Sequence, residues 1–178
     1  GATFDNSADT GLFANSGTVN NEGTLNAYSV TNAVSSDFSN SNVLTFNDFT
    51  NNGTFYQDGG ATNAASTTAT FDNSGEVIVD AGDIYVASFT NNAGAGVYMN
   101  GGTLTAEVLQ NDDTISNDAT IDTINFTNNG NVSGNGTTNI TGDSTNNGSI
   151  TQGLVTIDNS STFTNNGMLA ANVNNALG

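Results

Sequence analysis

The sequence predicts an all-β chain wound as a right-handed parallel β-solenoid of about 19 residues per coil. Two observations carry that reading. A short motif of one apolar residue, one asparagine and one glycine returns at nearly constant spacing, in "FTNNGTF" from Phe49, "FDNSGEV" from Phe71, "FTNNGNV" from Phe126 and "FTNNGML" from Phe163. Between its copies lie short alternating stretches rich in Thr, Val, Ile and Phe, closed by Gly, Asn and Asp. Those residues form and punctuate strands, and nothing repeats with the period of a helix.

Aligned on apolar-x-Asn, the asparagines are Asn51, Asn73, Asn91, Asn111, Asn128, Asn146 and Asn165. Asn6, Asn15, Asn21 and Asn40 fit the same motif at less regular intervals. The chain therefore reads as one domain over 1–178, with less regular coils over 1–48 and regular coils over 49–178. Glycine usually stands two places after the asparagine, at Gly17, Gly23, Gly53, Gly75, Gly130, Gly148 and Gly167. Ala8, Asn42, Ala93 and Asp113 depart from this. The pattern predicts a turn with a left-handed residue. After each turn comes a stretch such as "EVIV" from Glu76, then a second turn such as "DAGD" from Asp80. A returning strand such as "DIYVASF" from Asp83 follows, so the expected unit is strand, turn, strand, turn.

One such unit cannot bury a core, whereas stacked units can. About nine coils at about 4.8 Å each give a rod on the order of 40 Å long. Like then sits over like. Phe49, Phe71, Phe89, Phe126 and Phe163 are expected to form an internal apolar ladder, with Leu109 as one rung and Ser144 as the weak one. The asparagines from Asn51 to Asn165 are expected to form an amide ladder, because a primary amide both donates and accepts.

These residues carry a resemblance. The units are similar in length and turn pattern to the β-solenoid passenger repeats of filamentous-haemagglutinin-type adhesins and autotransporters of bacteria. The likeness runs from about Phe38 to Val173. It implies the parallel β-solenoid shape and leaves activity open. No secretion-domain motif accompanies it, and the complete lack of Lys and Arg departs from the pattern.

Composition narrows the chemistry. The 178 residues include no Lys, Arg, His, Cys, Pro or Trp, and the 17 acidic groups give a formal charge of −17. A Ser-His-Asp triad and a Cys nucleophile are excluded. Zinc loses its nitrogen and sulfur ligands. Nucleic acid meets no cation and would be repelled. Hydrophobic residues are 35% of the chain and recur in register, which argues against disorder. No apolar run approaches a membrane span, and no signal peptide or lipidation motif is visible.

The remaining candidates follow from oxygen chemistry. Asp112, Asp113, Asp118 and Asp122 are the best local group for a calcium ion, although neither an EF-hand loop nor a calcium-binding nonapeptide is present. Calcium is the only cofactor considered. The pairs Asp80 with Asp83 and Asp112 with Asp113 fall in turns, where carboxylates are solvated rather than tuned for glycoside hydrolysis. "TAT" at Thr68 and "TLT" at Thr103 are too few for an ice-binding rank. Tyr56, Tyr85 and Tyr98 are candidate sugar platforms.

The leading expectation is a non-enzymatic extracellular or cell-surface protein. It would be a fibre subunit, in one version adhesive, whose partner is itself in a head-to-tail homopolymer. "GATF" and "MLAANVNNALG" show no capping helix, so a processed chain or a segment of a longer rod is expected. The alternatives are a domain that binds or cleaves host or environmental glycans, and a functional amyloid.

Overall fold

The computed structural model describes residues 3–6, 11–158 and 160–176. Twenty strands and no helix lie among them. Every strand pair is parallel, and the chain winds as a β-solenoid of about 9 turns with about 18 residues per turn.

Each turn has three faces. The first runs through Thr3–Asn6, Thr24–Ala27, Val43–Phe46 and then segments 61–64, 83–86, 103–106, 120–123, 137–140, 154–158 and 172–176. The second runs from Leu12–Asn15 through Ser29–Asn32, Asp48–Asn51 and Thr70–Asn73 to Phe163–Asn165. The third runs from Thr18–Asn21 through Asp37–Asn40 and on to 168–171.

The expected two-strand unit is corrected to three. "DIYVASF" and its equivalents are two faces joined by a one-residue corner at Ala87, Glu107 or Ile124, where the pairing skips a residue. Burial shows the bend: Val86 and Phe89 point inward with two outward residues between them. Strict alternation would have kept the segment straight. No glycine, asparagine or proline marks these corners, so the sequence pattern ran straight through them.

The irregular early spacing has a similar origin. Asn15 belongs to the second face, but Asn21 and Asn40 belong to the third, and Asn6 pairs with Ala27 on the first. The residue that continues the second-face column is Asn32, in "VTN". Aligning one motif across three faces created the apparent distortion. Ala8 lies outside the described residues.

The glycines after the asparagines also need correction. Gly53, Gly75, Gly130, Gly148 and Gly167 are absent from the positive-φ residues. Space is their constraint. A Cβ on Gly75 would stand 2.1 Å from the Gly53 carbonyl oxygen. On Gly148 it would stand 2.0 Å from that of Gly130, and on Gly167 1.9 Å from that of Gly148. Each coil rests its turn on the carbonyl of the coil before it. The left-handed residues on this corner are instead Ser35 (φ 62°) and Gly94 (φ 87°). They sit in two longer turns, 33–36 and 92–95, each closed by a hydrogen bond from its fourth residue to its first, Ser36 N–H to Ala33 O and Ala95 N–H to Asn92 O.

Inside, like does sit over like. Phe49 and Phe71 stack at 4.6 Å between centroids with planes 2° apart, and Phe71 and Phe89 at 4.9 Å and 18°. Leu109 and Phe126 continue the rank. Ser144 is buried below Phe163, and its hydroxyl oxygen accepts the Phe126 backbone N–H at 2.8 Å. The third face contributes Phe38, Phe55, Val77, Val97, Ile115, Val132 and Ile150, the first Leu44, Ile84, Leu104, Ile121 and Val155. Aromatic neighbours add about 0.5–1.5 kcal/mol per pair beyond burial.

Three substitutions in the turns separate these constraints. Gly148→Ala should destabilise the chain by about 1–3 kcal/mol, since its Cβ would overlap backbone that cannot yield. Gly17→Ala should be near neutral, because nothing lies within 4 Å of that Cβ. Ser35→Gly should relieve the left-handed strain and stabilise by up to about 1 kcal/mol. Thermal and urea unfolding of the three variants against the parent chain check these outcomes.

Candidate functional site

The corner between the second and third faces holds the asparagine column. Asn15, Asn32, Asn51, Asn73, Asn91, Asn111, Asn128, Asn146 and Asn165 stand one above another. Each Nδ2 donates to the next Oδ1 at 2.7 to 2.9 Å. Every bond runs from the earlier coil to the later one. The column therefore has a polarity. The second N–H of each amide from Asn15 to Asn146 is also used: it reaches the backbone carbonyl that opens the third face one coil on, as from Asn51 to Glu76 at 2.8 Å and from Asn91 to Thr114 at 3.1 Å. The Oδ1 atoms of Asn15 and Asn73 also accept the N–H of the glycine two places later. Asn32 through Asn146 in this column are fully buried. An amide buried and bonded on all sides stabilises, whereas the same amide with a missing partner costs about 1–3 kcal/mol.

A shorter column occupies the next corner. Asn21 donates to Asn40 at 2.7 Å and Asn40 to Gln57 at 3.1 Å. Val79 and Met99 then replace the amides with apolar packing. Further on, Asn117 and Gln152 are buried in this rank. The Gln152 Oε1 accepts from Thr138 at 2.6 Å, while its Nε2 finds no partner. Outside the main column, Asn166, Asn147 and Asn129 form an exposed ladder ending on Asp112. Its bonds run toward the N-terminal end, opposite to the buried one.

The four aspartates considered for calcium are not brought together. Asp112 and Asp113 lie on the asparagine corner, Asp118 on the next corner and Asp122 on the first face. Each carboxylate already accepts a hydrogen bond: Asp112 from Asn129, Asp113 from the Gly94 backbone at 2.6 Å, Asp118 from the Asn135 backbone and Asp122 from Asn139 at 2.7 Å. Among the described residues no group of three or more acidic side chains could hold a metal ion. Asp80 accepts from Asn100 at 2.8 Å and, like Asp83, is exposed.

The tyrosines also separate. Tyr56 and Tyr98 share the third face with Ile78 between them, and Tyr85 stands on the first face between Asn63 and Thr105. Tyr85 is half exposed and borders three adjoining grooves. One of them is an open groove of about 260 Å³, lined by Tyr85, Thr105, Glu107, Asp122, Ile124 and Asn139 among others. Tyr85 offers an apolar ring face, and the carboxylate and amide offer acceptors and donors nearby.

The electrostatics are one-sided. With no basic side chain, carboxylates meet only dipoles and one another. The Asp72 carboxyl is pushed above its usual range, first by partial desolvation and then by Asp48 on the preceding coil. Asp158 is held below that range by the Ser160 backbone N–H and hydroxyl.

The chain matches no protein-family model, no curated protein and no solved structure.

The column yields two sharp tests. Asn91→Leu should destabilise by about 2–4 kcal/mol, because it leaves buried partners on Asn73, Asn111 and Thr114 unmet. Asn91→Asp should be worse still at pH 7, since a buried carboxylate would face two oxygen acceptors. Its deficit should shrink on acidification, as the protonated acid regains a donor. Asp72 carries the same sign more weakly. Its raised value means that the stability associated with the neutral form is fully present below the ordinary 3.8 and is lost as pH rises through the folded value. Asp72→Asn should therefore raise the melting midpoint at pH 7 only slightly, because the exposed carboxyl is screened by solvent, and change nothing at pH 3. Melting curves across pH 3 to 7 check both signs.

Proposed function

We propose that the chain serves as a structural, non-enzymatic rod in an extracellular surface fibre, stacking head to tail on further copies of itself. The observation that carries this reading is the uninterrupted column from Asn15 to Asn165, which ties every coil to its neighbours along one axis. Backbone ladders on three faces act in parallel with it. Pulling along the axis would load all of them together. The acidic exterior keeps neighbouring rods apart, while leaving stacking along the axis to short-range contacts. The resemblance to haemagglutinin-type repeats agrees with this role, and adhesion belongs to its broader version.

Electron microscopy of concentrated protein should show unbranched filaments one solenoid wide. Their length should grow with protein concentration and with salt, which screens carboxylate repulsion between copies. Compact single particles at all concentrations and salts would remove the filament reading.

The Tyr85 face favours a second reading, as a binding surface for neutral glycans. The exposed ring, the groove beside it and the Asp122–Asn139 pair supply apolar and polar partners for a sugar, and the lack of cations disfavours acidic sugars. Binding to neutral oligosaccharides that is lost in Tyr85→Ala supports this reading. Equal binding by both forms, or none, removes it.

A further inference from the structure

The turns of this solenoid carry a dipeptide with chemistry of its own. Asn-Gly occurs six times, beginning at Asn52, Asn100, Asn129, Asn135, Asn147 and Asn166. In a flexible chain the backbone nitrogen after an asparagine attacks that asparagine's side chain, and a glycine, lacking Cβ, obstructs the attack least. A fold suppresses the reaction where it ties down the side chain that is attacked or the N–H that attacks. We infer that five of the six pairs are protected in this way, and that Asn52 is the site at which the folded chain modifies itself by deamidation.

The exposed ladder outside the main column holds three of the five. Asn166 donates to Asn147 at 2.9 Å, Asn147 to Asn129 at 2.9 Å and Asn129 to Asp112 at 2.8 Å. Their glycines are held as well. The N–H groups of Gly130, Gly148 and Gly167 donate to the carbonyls of Asn111, Asn128 and Asn146, each at 3.1 Å. On the next corner Asn100 donates to Asp80 at 2.8 Å, and the Gly101 N–H to the Val79 carbonyl at 3.1 Å. Asn135 donates to Asp118 from its backbone N–H at 2.7 Å and from its side chain at 3.3 Å.

Asn52 has neither restraint. Among the described residues its side-chain amide meets no hydrogen-bond partner, and neither does the Gly53 N–H. The neighbouring coils explain the side chain. Ala33 occupies the place below Asn52 and has nothing to offer it, while the Ser74 hydroxyl oxygen above already takes the Asn92 amide at 3.0 Å. The Asn32 carbonyl accepts from the Asn52 N–H alone, at 2.8 Å, whereas the carbonyls of Asn111, Asn128 and Asn146 each accept from two successive residues. Asn52 is also only half-buried, so water reaches it.

The chemistry needs no other group. The Gly53 nitrogen loses its proton to solvent base and bonds to the Asn52 Cγ. The Cγ–Nδ2 bond breaks, the nitrogen leaves as ammonia, and a five-membered succinimide remains. Water opens that ring at either carbonyl and leaves aspartate or isoaspartate, with no change of oxidation state. The isoaspartate adds a methylene to the main chain where there is no room for one. A Cβ on Gly53 would already stand 2.2 Å from the Ser36 carbonyl oxygen and 2.5 Å from that of Ala33. The aged turn therefore presses on its neighbour beside Asn51, and this coil weakens before the others.

The test follows mass gain at each Asn-Gly pair during weeks at pH 8, in the folded chain and in the chain unfolded in guanidinium chloride. Cleavage before Asp48 and Asp58 isolates Asn52 in one short peptide, and fragmentation within it separates Asn52 from Asn51. In the folded chain Asn52 should convert at least about tenfold faster than any of the other five, because reaction there must first break a hydrogen bond. In the unfolded chain all six should convert at similar rates. Asn52→Gln, whose longer side chain closes a six-membered ring far more slowly, should remove the early mass gain while leaving the fresh protein's melting midpoint unchanged. The aged fraction of the parent should melt below the fresh protein. Conversion of Asn129 or Asn147 in the folded chain as fast as Asn52 overturns the assignment. So does an equal lead of Asn52 in the unfolded chain, which would place the selectivity in local sequence rather than in the fold.

Discussion

Every coil in this molecule is placed by one requirement: a buried primary amide must find a partner above and a partner below. Asparagine is suited to this because its side chain carries both a donor and an acceptor on a short stem. At Asn91 the amide gives one proton to Asn111, a second to the Thr114 carbonyl, and takes one from Asn73. Those bonds fix the height of the coil, the corner where it bends and the start of the next face. Moving one coil by a single residue would leave three buried groups unmet. The phenylalanine rank two residues earlier adds area and stacking, but it tolerates Val30, Leu109 and Ser144. Among the described coils from Asn15 to Asn165, the amide column tolerates no replacement.

The glycines complete that constraint from the outside. With amides holding the coils at the hydrogen-bonding distance, the turn after Asn73 is pressed against the carbonyl of Gly53, and only a residue without Cβ fits. The Asn-x-Gly motif thus encodes two contacts between coils. One is a hydrogen bond inside the corner, and the other is a close backbone approach outside it.

Much of this architecture was legible because it is periodic. The column from Asn51 to Asn165 and the rank from Phe49 to Phe163 could be written down from spacing alone. The division of the returning strand into a first and a second face could not, because the corner at Ala87, Glu107 and Ile124 is a single ordinary residue, and only two adjacent outward positions betray it. Asn32 was missed because "VTN" lacks the aromatic and is followed by the longer turn 33–36. The reason for the glycines was misread because positive φ and close approach leave the same letter in a sequence. The dispersal of Asp112, Asp113, Asp118 and Asp122 has a similar cause: residues near in sequence but on different corners and faces of a solenoid point in different directions.

The most direct test of the amide column is hydrogen exchange of the asparagine side chains by nuclear magnetic resonance. A buried, bonded Nδ2 should exchange only when its coil opens, so the side-chain amides of Asn51, Asn73, Asn91, Asn111 and Asn128 should be as protected as the strand backbones beside them. The exposed side chains of Asn100 and Asn135 should exchange far faster. Rapid, uniform exchange of all these side-chain amides would mean that the column does not exist in solution, and the account of how the coils are held in place would fail.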